Sequence, residues 1–319
     1  MKKALIIGAG GQIGTELTLN LIDILGHENV LATDVRPLES ELLKDVNCLQ
    51  LDVLDKEALT SLVVSEQITE IYHLAATLSA TAEKNPEFAW HLNMQSLFHV
   101  LNLGKEKLVE KIFWPSSIAV FGPDTPQNNT PQNTLTNPTT VYGISKLSGE
   151  RWCQYYHEKY GVDVRSLRFP GLLGYKAEPG GGTTDYALWA LKNAAEKKPY
   201  ISFISKQTEL PMMHMEDAIK GILDLMNAKS NAITVRSSYN ISGFSFTPEE
   251  LEAKIKKHAS NFKLEYLPDF RQDIAESWPN SLCDDIARKD WNWNPNYNFD
   301  ALVVDILGGF KKKLLVETR

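Results

Sequence analysis

Short runs of apolar residues alternate with longer stretches of helical spacing through the first half of the chain. The apolar runs lie at residues 4–7, 30–33, 48–51, 71–74, 111–114 and 164–168, and a helix is expected at residues 13–25. Strands of a parallel sheet read as short apolar runs, and the helices that connect them cover both faces of the sheet. The pattern therefore predicts an α/β fold built on a parallel sheet.

The alternation becomes irregular after about residue 175. A loop rich in glycine and threonine at residues 180–184 precedes predicted helices at 186–197 and 248–258 and aromatic-rich segments around Trp278 and Trp291. Residues 127–140 are rich in Asn, Pro and Thr, which predicts a surface loop near the functional site. We expect a first domain over residues 1–170 and a smaller C-terminal substrate lobe over residues 171–319, with some segments that return to the first domain.

Charge and cysteine usage narrow the class of protein. The chain has 319 residues, and its net charge of −7 leaves no basic footprint for nucleic acid. Cys48, Cys153 and Cys283 show no CxxC spacing, which is typical of a reducing compartment. The first apolar run ends at Gly8, too early for a secretory signal, and no run approaches the ~20 apolar residues of a membrane helix. We expect a cytoplasmic protein that binds neither nucleic acid nor membranes.

Three glycines form a candidate phosphate-binding turn at the end of the first predicted strand. Gly8, Gly11 and Gly14 stand at the opening of the following helix. Glycine permits the tight turn, lets backbone N–H groups approach a pyrophosphate, and lets the helix pack closely on the sheet. A structural turn without a ligand is the alternative. The strand and helix on either side, and Asp34 about 20 residues further on, favour a dinucleotide site.

The residues after the second predicted strand bear on which dinucleotide is bound. A carboxylate at Asp34 accepts hydrogen bonds from the adenosine ribose hydroxyls and repels a 2′-phosphate, which favours NAD. Arg36 is the complication, because its guanidinium could accommodate that phosphate. Asp52, after the third predicted strand, either accepts from the adenine amino group or is a solvated carboxylate at a strand end.

Tyr142 and Lys146 are the candidate catalytic pair. They lie four residues apart, so on a helix they share one face, and a cation lowers the pKa of a phenol toward the range of a general base. A surface pair is the alternative, but the preceding strand end at Ser116 and Ser117 favours catalysis. We expect Ser117 to hold the reacting oxygen. Ser116 is either a substrate contact or a hydroxyl that caps its own backbone.

Hydrolytic and metal chemistry find no support in the sequence. No Gly-x-Ser-x-Gly elbow comes with a histidine and a carboxylate, and the seven histidines show no metal-binding spacing. His73 and His214 are expected to be structural, and no metal is expected.

These motifs resemble the extended short-chain dehydrogenase/reductase family, whose members include nucleotide-sugar epimerases and dehydratases. The resemblance rests further on Asp52, His73-Leu74-Ala75-Ala76, Asn93 and Arg168-Phe169-Pro170. It implies a doubly wound Rossmann fold, NAD bound at the switch point of the sheet, and a Ser/Tyr/Lys mechanism. The implied NAD contacts are Gly8, Gly11, Gln12, Ile13, Gly14, Asp34, Arg36, Asp52, Val53, Leu74, Ala75, Ala76, Asn93, Tyr142, Lys146 and Pro170.

The chain departs from the sugar-nucleotide members where they bind the diphosphate. Those members have an Asn soon after the strand end that here reads Arg168-Phe169-Pro170-Gly171, and an Arg-containing segment where this chain has residues 209–215. The arginine clamp for a pyrophosphate is missing, which places a nucleotide-sugar substrate in doubt.

A closer resemblance is to the short-chain type of L-threonine 3-dehydrogenases. It is carried by residues 78–80, 115–123, 179–186, 277–279 and 287–291, where the glycine-threonine loop and Ser277-Trp278-Pro279 are the most diagnostic. It implies oxidation of L-threonine to 2-amino-3-ketobutyrate with hydride transfer to NAD. The implied substrate contacts are Ser79, Ser116, Tyr142, Gly181, Thr183 and Trp278.

Alternatives remain for these assignments. Thr183 could only order its loop, Ser79 could cap a helix, and Trp278 could belong to the core, while the glycines could make the loop a lid. A nucleotide-sugar epimerase or dehydratase and a non-catalytic NAD sensor are the rival functions. The family commonly forms homodimers through the helix that carries Tyr-x-x-x-Lys, and residues 147–160 carry Trp152, Tyr155 and Tyr156. We expect a homodimer, although these aromatics could equally pack inside the subunit.

Overall fold

A seven-stranded parallel sheet forms the centre of the molecule. The computed structural model describes residues 2–317. The strand order is β3-β2-β1-β4-β5-β6-β10, which is the doubly wound order of a Rossmann fold with one strand added at the edge. The predicted α/β fold is confirmed. The strands are β1 Ala4–Ile7, β2 Val30–Asp34, β3 Cys48–Gln50, β4 Glu70–His73, β5 Lys111–Ser117, β6 Asp163–Phe169 and β10 Tyr239–Asn240.

Helices cover both faces of this sheet. Residues of α1 and α7 pack with β1, β2 and β6 on one face. Residues of α2, α4 and α5 pack on the other face. The helices of this part are α1 Gln12–Leu25, α2 Lys56–Ser65, α3 Ser79–Ala82, α4 Pro86–Lys105, α5 Val141–Tyr160 and α7 Met215–Asn227.

Strand register brings the predicted functional residues to one edge of the sheet. Ile7 pairs with Thr33 and with His73, and Ser117 pairs with Phe169. Because all these strands are parallel, the glycine turn after β1 and the serines at the end of β5 lie at the same carboxyl edge. Ligands of open α/β sheets bind at this edge.

The remaining elements build a second, smaller body of structure. Its strands form a three-stranded sheet in the order β11-β9-β7 and a two-stranded sheet of β12 and β8. Buried residues of α6, α8 and α11 fill one core cluster beside these strands. The elements are β7 Gly171–Leu173, α6 Asp185–Ala195, β8 Tyr200–Ser202, β9 Leu210–His214, β11 Phe244–Phe246, α8 Pro248–Lys256, β12 Leu264–Tyr266, α9 Phe270–Glu276 and α11 Phe299–Glu317. Helix α10 Asp285–Trp291 packs instead in the core cluster of α1 and α7, beside β10.

Segments beyond residue 171 return to the main sheet. Strand β10 pairs with β6, and helix α7 packs against α1. The domain boundary at residues 170 and 171 stays a prediction.

The predicted surface loop at 127–140 was wrong in part. The segment has no helix or strand, but Thr130 and Gln132 are buried. Thr130 forms an isolated parallel bridge with Leu282, and the Gln132 amide donates to the carbonyl of Ser238. The segment therefore joins the main sheet to the C-terminal part of the chain.

Within residues 2–317 no helix combines the length and apolar character that crossing a bilayer requires.

His73 and His214, which were expected to be structural, make structural contacts. His73 contacts the Ser96 hydroxyl at 2.9 Å, and His214 accepts from the backbone N–H of Glu216 at the start of α7. His214 also pairs with Asp305 and stacks on Tyr297.

Candidate active site

A cavity of about 720 Å³ opens at the carboxyl edge of the sheet. Its walls come from the glycine turn, the ends of β2, β4 and β5, the first turns of α5, and the loop before α6. The volume lies in the range of pockets that enclose a ligand. Elements from both parts of the chain therefore form one site.

The glycine turn has the geometry that a close backbone approach requires. Gly8 has φ +88°, and a Cβ there would lie 2.7 Å from the backbone nitrogen of Ala75. A Cβ on Gly14 would lie 2.2 Å from the carbonyl oxygen of Gly8. Gly11 is the N-cap of α1 and provides no side-chain hydrogen bond to the N–H groups of the first turn. The residues of this turn line the cavity. A helix N-terminus of this kind suits a pyrophosphate.

Backbone hydrogen bonds fix the carboxylate of Asp34. Its Oδ2 accepts from the N–H of Gly10, and its Oδ1 accepts from the N–H of Arg36, each at 3.1 Å. The Arg36 guanidinium lies 3.8 Å from Oδ1, with 79% of the side chain exposed. A solvent-exposed guanidinium beside a carboxylate held by two backbone N–H groups favours ribose hydroxyls over a 2′-phosphate.

Two further features of this half of the cavity fit a dinucleotide. Asp52 lines the wall, and its Oδ1 accepts from the N–H of Leu54, which leaves Oδ2 for the adenine amino group or for solvent. Gln12 also lines the wall, and its buried Nε2 has no partner among the described residues. A buried amide without a partner is costly, and a bound phosphate or ribose would satisfy it.

Helix α5 presents Tyr142 and Lys146 to the cavity. The Thr140 hydroxyl caps the helix by accepting from the N–H of Gly143. The Lys146 ammonium lies 5.5 Å from the centre of the Tyr142 ring and donates to the carbonyl of Pro115 at 2.6 Å. Both side chains are buried at the wall of the cavity.

Burial moves the pKa values of this pair in opposite directions. Removal from water raises the pKa of Tyr142 to about 12, and contact with the Ser117 hydroxyl acts in the opposite direction. Burial lowers the pKa of Lys146 to about 7. The predicted lowering of the phenol pKa by the lysine together with the charge of the nicotinamide concerns the protein with its cofactor bound, and it stays a prediction.

The two serines at the end of β5 differ in what they contact. The Ser117 oxygen accepts from the N–H of Ala119, so its own hydrogen can be donated toward Tyr142 or a substrate. Ser116 is buried and donates to the carboxylate of Glu150 at 2.6 Å. The sequence predicted either a substrate contact or a backbone cap for Ser116, and neither alternative included Glu150. Because the hydrogen of the Ser116 hydroxyl is donated to Glu150, we propose no substrate contact for Ser116.

The far end of the cavity is lined by hydroxyl and apolar groups. The hydroxyls of Ser79 and Thr183 are buried and lie 3.1 Å apart, which joins α3 to the glycine-threonine loop. Trp278 contributes to the same wall. The Asp185 carboxylate accepts from the N–H groups of Gly181 and Gly182 at 2.9 and 2.8 Å.

Two residues predicted to touch a ligand are not in the cavity wall. Asn93 lies behind it, where its amide bonds the N–H and carbonyl of Thr77 and the Ser145 hydroxyl. Gly181 is absent from the wall, although its neighbours Gly180 and Gly182 line it. Its φ of +89° instead lets the loop pass Thr81, whose hydroxyl a Cβ would approach to 2.8 Å.

Sequence reasoning missed Asp185 and Thr77 as wall residues. Asp185 directly follows the glycine-threonine segment, so its position in the sequence could have identified it as a wall residue. Thr77 carries no motif of its own. All other predicted cofactor and substrate residues line the cavity. Among residues 2–317, no cluster of His, Cys, Asp and Glu could hold a metal ion.

Comparison with known proteins gives a consistent picture. The model of the NAD dependent epimerase/dehydratase family matches residues 4–242. An uncharacterized epimerase/dehydratase from Staphylococcus haemolyticus is 46% identical over 315 residues, which cover 98% of this chain and 99% of that protein.

Two solved structures are similar over nearly the whole chain. A GalE-like L-threonine dehydrogenase from Cupriavidus necator, in its holo form, is 48% identical with a TM-score of 0.95, covering 97% of this chain and 100% of that one. A monomeric L-threonine 3-dehydrogenase from a metagenome database, in its apo form, is 43% identical with a TM-score of 0.93, covering 97% and 99%.

Proposed function

Since the chain belongs to the NAD-dependent epimerase/dehydratase family, we propose that it oxidises the C3 hydroxyl of L-threonine, producing 2-amino-3-ketobutyrate and NADH. The cofactor is NAD, and the substrate is a small molecule. When bound, the cofactor accepts the hydride and brings positive charge to the site.

The composition of the cavity wall carries this proposal. Among the described wall residues, the cationic side chains are Arg36, beside Asp34 at the adenosine end, and Lys146, beside Tyr142. No arginine faces the substrate end, where a nucleotide-sugar diphosphate would need a bidentate partner. Hydroxyls of Ser79 and Thr183 and the indole of Trp278 suit a small hydroxylated substrate instead.

The charges at the substrate end also match an amino acid. Asp185 supplies a buried negative charge at the wall, and burial raises its pKa while the two glycine N–H groups oppose that rise. An α-ammonium group would neutralise this carboxylate. The hydroxyls of Ser79 and Thr183 can donate to the α-carboxylate. We propose contacts of this kind for Ser79, Thr183, Trp278 and Asp185.

In the proposed reaction, Tyr142 is the general base. Its phenolate removes the proton of the substrate hydroxyl while Ser117 donates a hydrogen bond to the same oxygen. The Lys146 ammonium stabilises the phenolate, since its hydrogen bond to Pro115 fixes it beside the ring. Burial raises the pKa of the Tyr142 phenol, and the positive charge of the Lys146 ammonium beside the ring would favour the phenolate.

The test is NADH formation by the purified protein with L-threonine, with UDP-glucose and UDP-galactose as parallel substrates. We expect threonine-dependent NADH formation with NAD and much less with NADP. Replacing Tyr142 with Phe should reduce kcat by about 10²- to 10⁴-fold, the usual contribution of a general base, while NAD binding persists. Conversion of a nucleotide sugar without activity on threonine would refute the proposal.

A non-catalytic NAD sensor is the alternative from another class. Such a protein would bind NAD and release no NADH with any 3-hydroxy amino acid. The arrangement of Tyr142, Lys146 and Ser117 around one cavity argues against it, because NAD binding alone does not require a buried base with its own hydrogen-bond donor.

We further propose that the protein is a homodimer of the cytoplasm. The reduced state of Cys48, Cys153 and Cys283 agrees with a reducing compartment. The dimer proposal rests on an exposed aromatic surface of α5, formed by Trp152, Tyr155 and Tyr160. The similar protein from a metagenome database is described as monomeric, so the oligomeric state of this chain has to be measured directly.

A further inference from the structure

Helix α5 contacts the end of β5 through three residues spaced four apart. Tyr142 contacts Ser117, Lys146 donates to the carbonyl of Pro115, and Glu150 accepts from the Ser116 hydroxyl. Positions four apart share one face of a helix, so the three side chains form a single row along the strand end. The proposed mechanism uses the first two. Glu150 has no role in it.

Glu150 is a fully buried carboxylate with an unusually complete set of partners. Arg168 on β6 donates to it through Nε at 2.8 Å and through Nη2 at 2.7 Å, in a bidentate pair. The Ser116 hydroxyl supplies the third bond at 2.6 Å. Breaking such a pair from one side leaves an uncompensated buried charge, so each member constrains the others strongly.

The same pair connects the catalytic strand end to distant parts of the chain. Arg168 Nη1 donates to the carbonyl of Gln132 and to Oδ1 of Asn240 on β10, each at 3.1 Å. Asn240 in turn donates to the carbonyls of Thr130 and Cys283. Movement of Glu150 is therefore resisted by α5, β6, β10 and the 127–140 segment together.

We propose that Glu150 is a positioning residue for the proposed threonine oxidation: it fixes the end of β5 against α5 and supplies the negative charge that keeps the Lys146 ammonium charged. The proposal rests on the proposed function for its kinetic readout. The effect of Glu150 on the charge of Lys146 can be measured without turnover.

The charged and titratable groups around Lys146 determine the sign of the effect. Tyr142, Glu150 and Cys153 face it from α5, His73 from β4, and Arg168 lies behind Glu150 on β6. Burial lowers the pKa of Lys146, whereas Cys153 and, to a smaller extent, Glu150 raise it. Because burial raises the pKa of the Cys153 thiol and keeps it uncharged, Glu150 is the group of the two that supplies a negative charge. Removing the negative charge of Glu150 therefore lowers the lysine pKa further, and the unpaired Arg168 acts in the same direction.

The first experiment replaces Glu150 with Gln and measures kcat/KM for threonine against pH. Activity that needs the ammonium is lost as pH rises through the pKa of Lys146. We therefore expect the basic limb of the profile to move to lower pH by about one unit, so that activity on that limb falls about tenfold. Glu150→Asp, which retains the charge, should move the limb back toward that of the unchanged protein.

Asp163→Asn is the matched control. Asp163 bonds the buried Arg165 on the same strand and also Arg236, but it contacts none of the three α5 residues. Asp163→Asn should lower the stability of the protein without moving the basic limb of the pH profile. A Glu150→Gln protein whose profile superimposes on the original, or shifts no more than Asp163→Asn, would overturn the proposal.

Two further measurements cover a failure to fold and a failure of the proposed function. If Glu150→Gln does not fold, Glu150→Gln with Arg168→Met removes both buried charges, and the basic limb should still move to lower pH. If threonine is not a substrate, the ¹³Cε shift of Lys146, assigned with Lys146→Arg, reports its pKa in the NAD-saturated full chain. An unchanged lysine pKa in the folded Glu150 variants would refute the role of Glu150 independently of turnover.

Discussion

At the residue scale, two carboxylates combine a structural task with a ligand-facing position. Asp34 accepts from the N–H of Gly10 in the glycine turn and from that of Arg36 after β2, and Asp185 accepts from two N–H groups in the glycine-threonine loop. Both line the cavity. Each carboxylate therefore holds the loop that the ligand contacts. Replacing either carboxylate should disturb both the conformation of that loop and ligand binding.

Asp34→Asn should weaken the preference for NAD over NADP. The amide keeps the size of the side chain but removes the charge that repels a 2′-phosphate, and Arg36 is free to approach that phosphate. Hydrogen bonds to charged groups contribute roughly 1.5–3 kcal/mol, so the ratio of kcat/KM for the two cofactors should fall about 10- to 100-fold. Steady-state kinetics with both cofactors would measure it, and an unchanged ratio would mean that Asp34 does not select the cofactor.

Ser79→Ala and Thr183→Ala should each raise KM for threonine by about 5- to 10-fold, the contribution of one hydrogen bond, with little change in NAD affinity. Because the two hydroxyls contact each other, their effects should not add in the double variant. Fully additive effects would indicate two independent contacts. A change in NAD affinity of similar size would contradict a role confined to the substrate.

The residues found from the sequence are those whose chemistry depends on local spacing. Tyr142 and Lys146 are one helical turn apart, and Gly8, Gly11 and Gly14 belong to one turn, so each motif contains its own geometry. Ser116 and Asn93 could not be placed in this way. Ser116 is engaged by Glu150 on another element, and Asn93 acts through Thr77, so their partners follow only from the fold.

At the element scale, the approach of α5 to the end of β5 depends on two glycines. A Cβ on Gly143 would lie 2.1 Å from the carbonyl oxygen of Ala119, just after Ser117. A Cβ on Gly149 would lie 2.4 Å from the Trp114 ring. The absence of side chains at these positions lets the helix come close enough for Tyr142 to reach Ser117.

Gly143→Ala should lower both stability and activity. The added methyl group meets backbone, which cannot move aside as a side chain can, so the cost should be about 1–3 kcal/mol. The helix would also shift away from Ser117, so kcat should fall by more than the unfolded fraction explains. Thermal unfolding and kinetics on the same samples would separate the two effects.

Gly308→Ala is the control for this prediction, because a Cβ there meets nothing within 4 Å and the residue lies inside helix α11. It should stabilise the protein by about 0.5–1 kcal/mol and leave kcat unchanged. Equal kinetic effects of the two substitutions would argue against a specific role for the approach at Gly143.

The elements of the main sheet could be predicted to within a few residues, because their apolar runs are separated by regular helices. The predicted strands at 30–33 and 164–168 are found at Val30–Asp34 and Asp163–Phe169, and in the smaller body the predicted helix at 186–197 is found at Asp185–Ala195. The strands β7, β8 and β12 were not predicted. Each has three residues, too few to show a period, and each forms only because a partner from far along the chain lies beside it.

At the scale of the whole molecule, a group of aromatic side chains on α4 and α5 faces the surface of the subunit. Phe98 on α4 and Trp152, Tyr155 and Tyr160 on α5 contact one another edge to face. Trp152, Tyr155 and Tyr160 are 39%, 44% and 39% exposed, while Tyr156 is buried. Tyr156 therefore packs inside the subunit and the others face outward, and the homodimer stays a prediction.

We expect light scattering of the purified protein to give the mass of a dimer at micromolar concentration. Trp152→Glu places a charge in the centre of this aromatic surface, so it should shift the equilibrium toward monomer while the NAD-dependent rise in melting temperature persists. Lys192→Glu, outside this surface, is the control. A monomer without any substitution, or a dimer that Trp152→Glu leaves intact, would refute an interface at this surface.

The two-residue strand β10 has a consequence for how the chain is made. Until Tyr239 and Asn240 have left the ribosome, β6 is an edge strand with unpaired backbone groups, although its Val164 and Leu167 are buried in the finished protein. Exposed apolar edges recruit other chains. The edge of the sheet that binds the cofactor therefore gains its last strand only after the later segment is made, and we expect nascent chains to need protection from aggregation until then.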